Sequence, residues 1–241
     1  MRERRIIYLL CVVTSLVSCS SMPTDLANFL NNLSYSKAVA YVQTAQYTLN
    51  NTSYDSTDKT TVLGSEVEYF QMSLITNDYS LQIEEDYAGS LVVADDDLGF
   101  SVVKETTTIA KGDEDYVKTV TYAGPADGDT DTTTSSLGSG DVLDLLKSYI
   151  ADSDTQEDGL YYGEWLKTES RTMSSFMTVD DSDNTLDYNP GTVGTDTDVN
   201  VYYDMDITIN EYGLLISYSL NLYNGDEGTY SVLTMAPTYN D

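Results

Sequence analysis

The sequence predicts a mainly β (α+β) protein, a curved antiparallel sheet or unclosed β-barrel with two short amphipathic helices. Three observations predict it. In residues 199–209, Val199, Val201, Tyr203, Met205, Ile207 and Ile209 alternate with Asn200, Tyr202, Asp204, Asp206 and Thr208, the period-two pattern of a strand with one wet face. A turn at 210–213 leads into Leu214, Ile216, Tyr218, Leu220 and Leu222, and a turn at 224–228 leads into Tyr230–Met235. This is an antiparallel meander, because parallel crossovers would need intervening helices. Finally, helical spacing of apolar residues is clear only after Thr24 and after Asp141.

The first element is a leader. Arg2, Arg4 and Arg5 precede an apolar stretch from Ile6 to Val17, and Leu16-Val17-Ser18-Cys19 closes it. A basic start, a short apolar core and small residues before the end make an export signal too short for a comfortable membrane span. Leu16 to Cys19 has the form of a lipobox, and the segment resembles that of bacterial lipoproteins. The resemblance implies that residues 1–18 are a removed signal peptide and that Cys19 becomes the lipidated N-terminus, carrying diacylglycerol and often a further acyl chain such as palmitate. Each buried methylene adds roughly 0.8 kcal/mol to such an anchor. The implied address is a bacterial cell membrane, outside the cytoplasm, at the outer face or in the periplasm. Cys11 leaves with the signal, so no intrachain disulfide is expected.

Residues 19–23 are then a lipidated tether and residues 24–241 a single β-rich domain. Thr24 is positioned to cap a helix in which Leu26, Phe29, Leu30 and Leu33 share one face, with Asp25 in the first turn. Residues 38–49 fit either period, and a strand from about residue 40 is expected. Strands follow at 67–76, 79–84, 90–93, 100–109 and 116–122, rich in Thr, Tyr and Val, with turn residues at Asn77-Asp78, Asp95-Asp96-Asp97 and Gly112-Asp113-Glu114 between them. Residues 125–140 are poor in apolar side chains and read as a solvated loop. Asp141 caps a second helix bearing Val142, Leu145, Leu146, Tyr149 and Ile150 on one face and ending near Asp152. Strands at 161–168 and 172–179 and an acidic loop at 180–198 lead to the meander.

The 241-residue chain has 40 acidic against 11 basic residues, a formal charge of −29. So acidic a surface repels nucleic-acid phosphates and anionic lipid heads, which excludes nucleic acid and polybasic membrane docking as functions. The carboxylates serve first to keep an exported protein soluble. The chain contains no histidine, so Ser-His-Asp and Cys-His nucleophile systems and histidine-containing zinc sites cannot be assembled. No P-loop or dinucleotide fingerprint is present. With this many acids, a pair such as Asp204 and Asp206 arises without any catalytic demand, and no set of named catalytic roles can be drawn. The chain is read as a non-enzyme without cofactor. Asp127, Asp129 and Asp131 open like a calcium loop, but Thr132 replaces the turn glycine and Gly138 the closing glutamate. Asp180, Asp181, Asp183 and Asp187 likewise lack full spacing, and no metal ligand is assigned.

A short helix, several strands, a linker with a helix and a long meander, in that order, resemble the LolA-like and mycobacterial-type lipid-binding lipoprotein fold. That resemblance implies an unclosed barrel whose concavity holds acyl chains. Tyr203, Met205, Ile207, Ile216, Tyr218 and Leu220 would line it and select a lipid or other hydrophobic ligand by apolar fit. The competing expectation is that these positions are a closed core filled by Leu145, Leu146 and Ile150, in a surface interaction, adhesion or structural lipoprotein. Tyrosine, with 21 residues against 4 Phe and 1 Trp, suits such a surface because its ring packs while its hydroxyl bonds. One member of each pair Tyr161-Tyr162 and Tyr202-Tyr203 is expected to be exposed. Trp165, beside Glu164 and Lys167, is read first as a core anchor.

Overall fold

A computed structural model describes residues 22–87, 93–95, 100–102, 104–123, 130–151, 159–196, 201–224 and 228–240. The expectations for Cys19, Asp127 and Asp129 lie outside them. In chain order the elements are α1 (Thr24–Asn32), α2 (Tyr35–Tyr41), β1 (Thr44–Asp55), β2 (Val62–Ser73), β3 (Asp78–Tyr87), β4 (Val93–Asp95), β5 (Phe100–Val102), β6 (Lys104–Lys111), β7 (Tyr116–Ala123) and β8 (Thr130–Leu137). They continue with α3 (Ser139–Ser148), α4 (Gly163–Met173), a short 3₁₀ turn (Ser174–Phe176), β9 (Met177–Asp180), β10 (Thr185–Asp196), β11 (Val201–Asn210), β12 (Leu215–Asn224), β13 (Thr229–Met235) and β14 (Thr238–Tyr239).

Twelve strands form one antiparallel sheet in the order β8-β7-β6-β3-β2-β1-β13-β12-β11-β10-β9, with β14 paired to β1 and β4-β5 a separate hairpin. The sheet does not close into a barrel: β8 and β9 are its two edges. β1 joins the two meanders, pairing with β2 on one side and with β13 on the other, where Tyr54 meets Tyr230. The mainly β, open-sheet expectation therefore holds.

The helices cover one face of this sheet in two clusters. Leu26, Phe29 and Leu30 of α1 and Trp165 and Leu166 of α4 bury Leu186, Tyr188, Met205, Ile207, Ile209 and Leu215. Ala38 of α2 and Val142 and Leu146 of α3, with Val42 and Ile150, bury Ala45, Phe70, Met72, Tyr79 and Ile109. At roughly 25 cal/mol per Å² of apolar area removed from water, these clusters are the main source of stability.

Several sequence expectations require correction. Four α-helices stand among the described residues, where two are expected. Residues 35–41 are helical and the strand starts only at Thr44, because Ala38 and Val42, four apart, bury one helical face. Residues 161–168 are not a strand. Tyr161 makes one bridge to Leu214, after which α4 runs with Trp165, Leu166 and Ser170 buried and Glu164 paired to Lys167 at 2.5 Å, an i, i+3 contact that neighbouring helical turns bring together and an extended strand does not. The strand expected at 172–179 is reduced to β9.

The solvated loop at 125–140 contains β8, an edge strand whose threonines pair with β7; β-branched residues fit the pleat without needing burial. The acidic loop at 180–198 contains β10, held by β11 and β9 on its two sides. Its Pro190 sits in a bulge between Tyr188 and Gly191, where a missing N–H breaks no ladder bond. Asp141 is not the cap of α3. Gly138 takes that place, and its N–H donates to Asp141 Oδ2 at 3.3 Å. Thr24 lies inside α1, behind Pro23.

Candidate functional site

Cross-strand register defines which side chains share the helix-covered face. Ile207 of β11 stands opposite Tyr218 of β12, Met205 opposite Leu220, and Tyr203 opposite Leu222. Tyr218 and Leu220 in turn stand opposite Met235 and Leu233 of β13, and Met235 stands opposite Leu49 of β1. Because side chains alternate with period two, the residues of these pairs other than Tyr203 form one surface.

That surface divides where the helices end. Met205 and Ile207, two of the six expected ligand contacts, are buried at 7% and 1% exposure beneath α1 and α4. The side chains filling that site are Leu26, Phe29, Leu30, Trp165 and Leu166. Leu146 and Ile150, expected as the filling, belong to the other cluster. Tyr218, Leu220, Leu222 and Met235 pack against the edge of the first cluster and stay half-buried, as do Leu233 and Leu49. A strip of six apolar side chains thus runs across β12, β13 and β1. At its β2 end is Glu68, opposite Leu49 and only 8% exposed.

Ile216 is not part of this surface. A bulge lies between the pairs Thr208–Ser217 and Ile209–Leu215, and one extra residue shifts the alternation. Leu215 takes the core position of the first cluster, Leu214 goes to the second, and Ile216 is half-buried outside both. Tyr203 is placed by backbone register alone. Trp165 is a core anchor, with edge-to-face contacts to Tyr162 at 6.2 Å and Tyr188 at 5.5 Å. Tyr161 and Tyr162 are both buried, so that pair does not present an exposed ring.

The opposite, outer face carries a feature that the sequence order hides. Tyr54, Tyr230, Tyr223 and Tyr202 occupy directly opposed positions on β1, β13, β12 and β11. The Tyr54 and Tyr230 ring centroids are 6.3 Å apart, and Lys59 Nζ lies 4.7 Å from the centre of the Tyr230 ring, a cation–π distance. Nothing in local sequence marks this row. Asp204 and Asp206 lie on β11, opposite Asn221 and Ser219.

Among the described residues, no group of three or more His, Cys, Asp or Glu is placed to hold a metal ion. Asp180 Oδ1 accepts from the Ser182 N–H at 2.8 Å and its hydroxyl at 2.6 Å, and these bonds hold its carboxyl below the usual range. Asp187 accepts from the Thr208 hydroxyl at 2.7 Å. These acids make hairpin and cross-strand bonds. Among the described residues, no helix is long and apolar enough to cross a membrane.

No protein-family model matches the chain, and no curated protein matches it. Among solved structures, the crystal structure of a DUF1329 family protein from Desulfovibrio piger is similar at 10% identity and a TM-score of 0.26, over 89% of this chain and 92% of that one. At that score the likeness carries no argument about function.

Proposed function

We propose that this chain is an exported, non-enzymatic lipoprotein, anchored through lipid on Cys19, that takes a hydrophobic ligand on the helix-covered face of its open sheet. The observation that carries this reading is the half-buried strip of Leu49, Tyr218, Leu220, Leu222, Leu233 and Met235, continuous with a filled core and extending past the helices. Contiguous apolar surface of this kind is costly to leave in water and is typical of binding sites. The ligand contacts are therefore Tyr218, Leu220 and their neighbours on β13 and β1, while Met205 and Ile207 support them from beneath. Glu68 at one end of the strip disfavours an anionic group there and suits an uncharged or cationic one.

Native mass spectrometry of residues 20–241 purified from a lipid-containing extract tests the reading. The expected result is a stoichiometric lipid, lost on Leu220→Asp and Leu233→Asp substitution. A clean apo mass that also ignores added lipids overturns it. In that case the tyrosine row on the outer face supports a second reading, a surface interaction or adhesion protein with a filled core.

A further inference from the structure

The outer face holds a second candidate site, on the opposite side of the sheet from the apolar strip. An open groove of about 600 Å³ crosses β1, β2 and β3, lined among others by Gln46, Thr48, Tyr69, Gln71, Gln82 and Glu84. Register places these side chains in two opposed rows. Gln46 faces Gln71, which faces Ser80, while Thr48 faces Tyr69, which faces Gln82.

Three features set this groove apart from the rest of the surface. The whole sequence contains five glutamines, and three of them are here. A glutamine amide is polar but uncharged, so these three side chains make the lining polar without adding to its negative charge. Next, a chain with 40 acidic residues places a single carboxylate in this lining, Glu84, which accepts from Gln82 Nε2 at 2.7 Å. Lastly, Tyr69 is, with Val62, Ile75 and Phe176, one of the large apolar side chains left exposed among the described residues, at 44%.

An amide side chain offers both donors and acceptors, which matches hydroxyl groups that likewise donate and accept. An exposed tyrosine ring offers a flat apolar face with a polar tip. Together they suit a ligand that is ringed by hydroxyls at its edge and carries C–H bonds on its face. A lipid tail would gain little on a lining this polar, and the negative charge of the lining and of the protein repels phosphates.

We propose that this groove binds a neutral carbohydrate, with one pyranose ring stacked on Tyr69 and its hydroxyls bonded to Gln46, Gln71, Gln82 and Glu84. A volume of this size lies within the range of small-molecule sites. The site lies on the face opposite Leu220 and Leu233 and does not depend on the hydrophobic ligand.

The test is saturation-transfer NMR on the protein as isolated from cells, with maltohexaose, cellohexaose, xylohexaose and chitohexaose as probes. At least one probe is expected to receive saturation from the protein. Its affinity should fall about tenfold in Tyr69→Ala and again in Gln71→Ala, since the first removes a stacking contact and the second a hydrogen bond. Tyr69→Phe, which keeps the ring, should retain most of the binding. Circular dichroism confirms folding of each variant. The proposal is overturned if no probe receives saturation at millimolar concentration, or if binding survives Tyr69→Ala and Gln71→Ala combined. Lipid retention by the same Tyr69→Ala protein should be unchanged, so either site can fail without the other.

Discussion

The ring of Tyr161 occupies the space that a side chain at Gly213 would need: a Cβ on Gly213 would stand 2.6 Å from Tyr161 Cε2. The same ring lies against Gly163, where a Cβ would stand 2.6 Å from Cζ. Around this contact the Tyr162 N–H donates to the Gly213 carbonyl and the Leu215 N–H to the Leu160 carbonyl, each at 2.8 Å. The segment before α4 is thereby fastened to the β11–β12 turn, and the two core clusters meet there.

Gly213 also has a φ of +80°, where a side chain costs about 1–2 kcal/mol before any collision. Gly213→Ala is therefore expected to destabilise by more than about 2 kcal/mol in urea unfolding. In a Tyr161→Ala background the additional cost of Gly213→Ala should fall to about 1–2 kcal/mol, because the ring collision is gone and the cost of the positive φ remains. Equal costs in both backgrounds would show that the ring contact does not matter.

The bulge in β12 predicts unequal effects at adjacent positions. Leu215 is fully buried, and Leu215→Ala should cost about 2–5 kcal/mol through lost contacts and a cavity. Ile216→Ala, at a half-buried position outside both clusters, should cost less than about 1.5 kcal/mol. The reverse order would place Ile216 in the core and remove the bulge.

Burial pushes the Tyr218 hydroxyl up from 10.0 to about 12. Tyr239, half-buried, is raised as well, by desolvation of its hydroxyl first and by Tyr162 and Tyr41 next; that hydroxyl donates to the Leu215 carbonyl at 2.7 Å. A raised folded-state pKa contributes stability that is complete below the unfolded value and is lost as pH rises towards the folded one. Chemical denaturation should therefore show stability declining from pH 10 towards pH 12. The decline should be smaller in Tyr218→Phe, read together with the absorbance of tyrosinate.

Asp58 provides the opposite sign at the surface. Its carboxylate accepts from the Thr61 hydroxyl at 2.6 Å and from the N–H groups of Thr61 and Thr60 at 2.9 and 2.8 Å, and these bonds lower its pKa from 3.8 to about 2. NMR titration should find the Asp58 carboxyl ionised well below the usual carboxylate range. Thr61→Val should move it upward, because the largest single cause is the threonine hydroxyl.

Leu220 and Leu233 are opposed on β12 and β13, and both are half-buried. Leu220→Asp is expected to abolish lipid retention while the chain still folds, as a half-exposed position gives a new carboxylate a route to water. Ile207→Asp, at 1% exposure, should fail to fold, since burying an unpaired charge costs several kcal/mol. Thermal unfolding and native mass spectrometry together separate the two outcomes. If Leu220→Asp retains lipid, the strip is not the binding surface.

Legibility in the sequence followed the strength of local patterning. The strands at 201–210 and 215–224 were visible because alternation sustained over ten residues matches the period of a strand and not that of a helix. The helix at 163–173 was missed although Tyr162, Trp165, Leu166 and Met173 carry helical spacing, because paired tyrosines and a tryptophan also favour strands. β8 and β10 were missed for the converse reason. Their threonines, aspartates and glycines give no hydrophobic period, and only neighbouring strands make them extended. Of the six expected ligand residues, Met205, Ile207, Tyr218 and Leu220 do share the helix-covered face, and Ile216 was displaced by a bulge that no local pattern announces.

By itself the sequence determined the mainly β class, the C-terminal meander, the stripes of α1 and α3 and the absence of histidine chemistry, since each depends on residue identity or on short-range periodicity. Tertiary structure alone decided which apolar positions are covered by α1 and α4 and which remain half-exposed. It also decided that Gln46, Gln71 and Gln82 meet on one groove and that four tyrosines from distant strands fall in a row. Those relationships are set by register between strands as far apart in the chain as β1 and β13, and register is fixed by long-range packing, which local patterns do not encode.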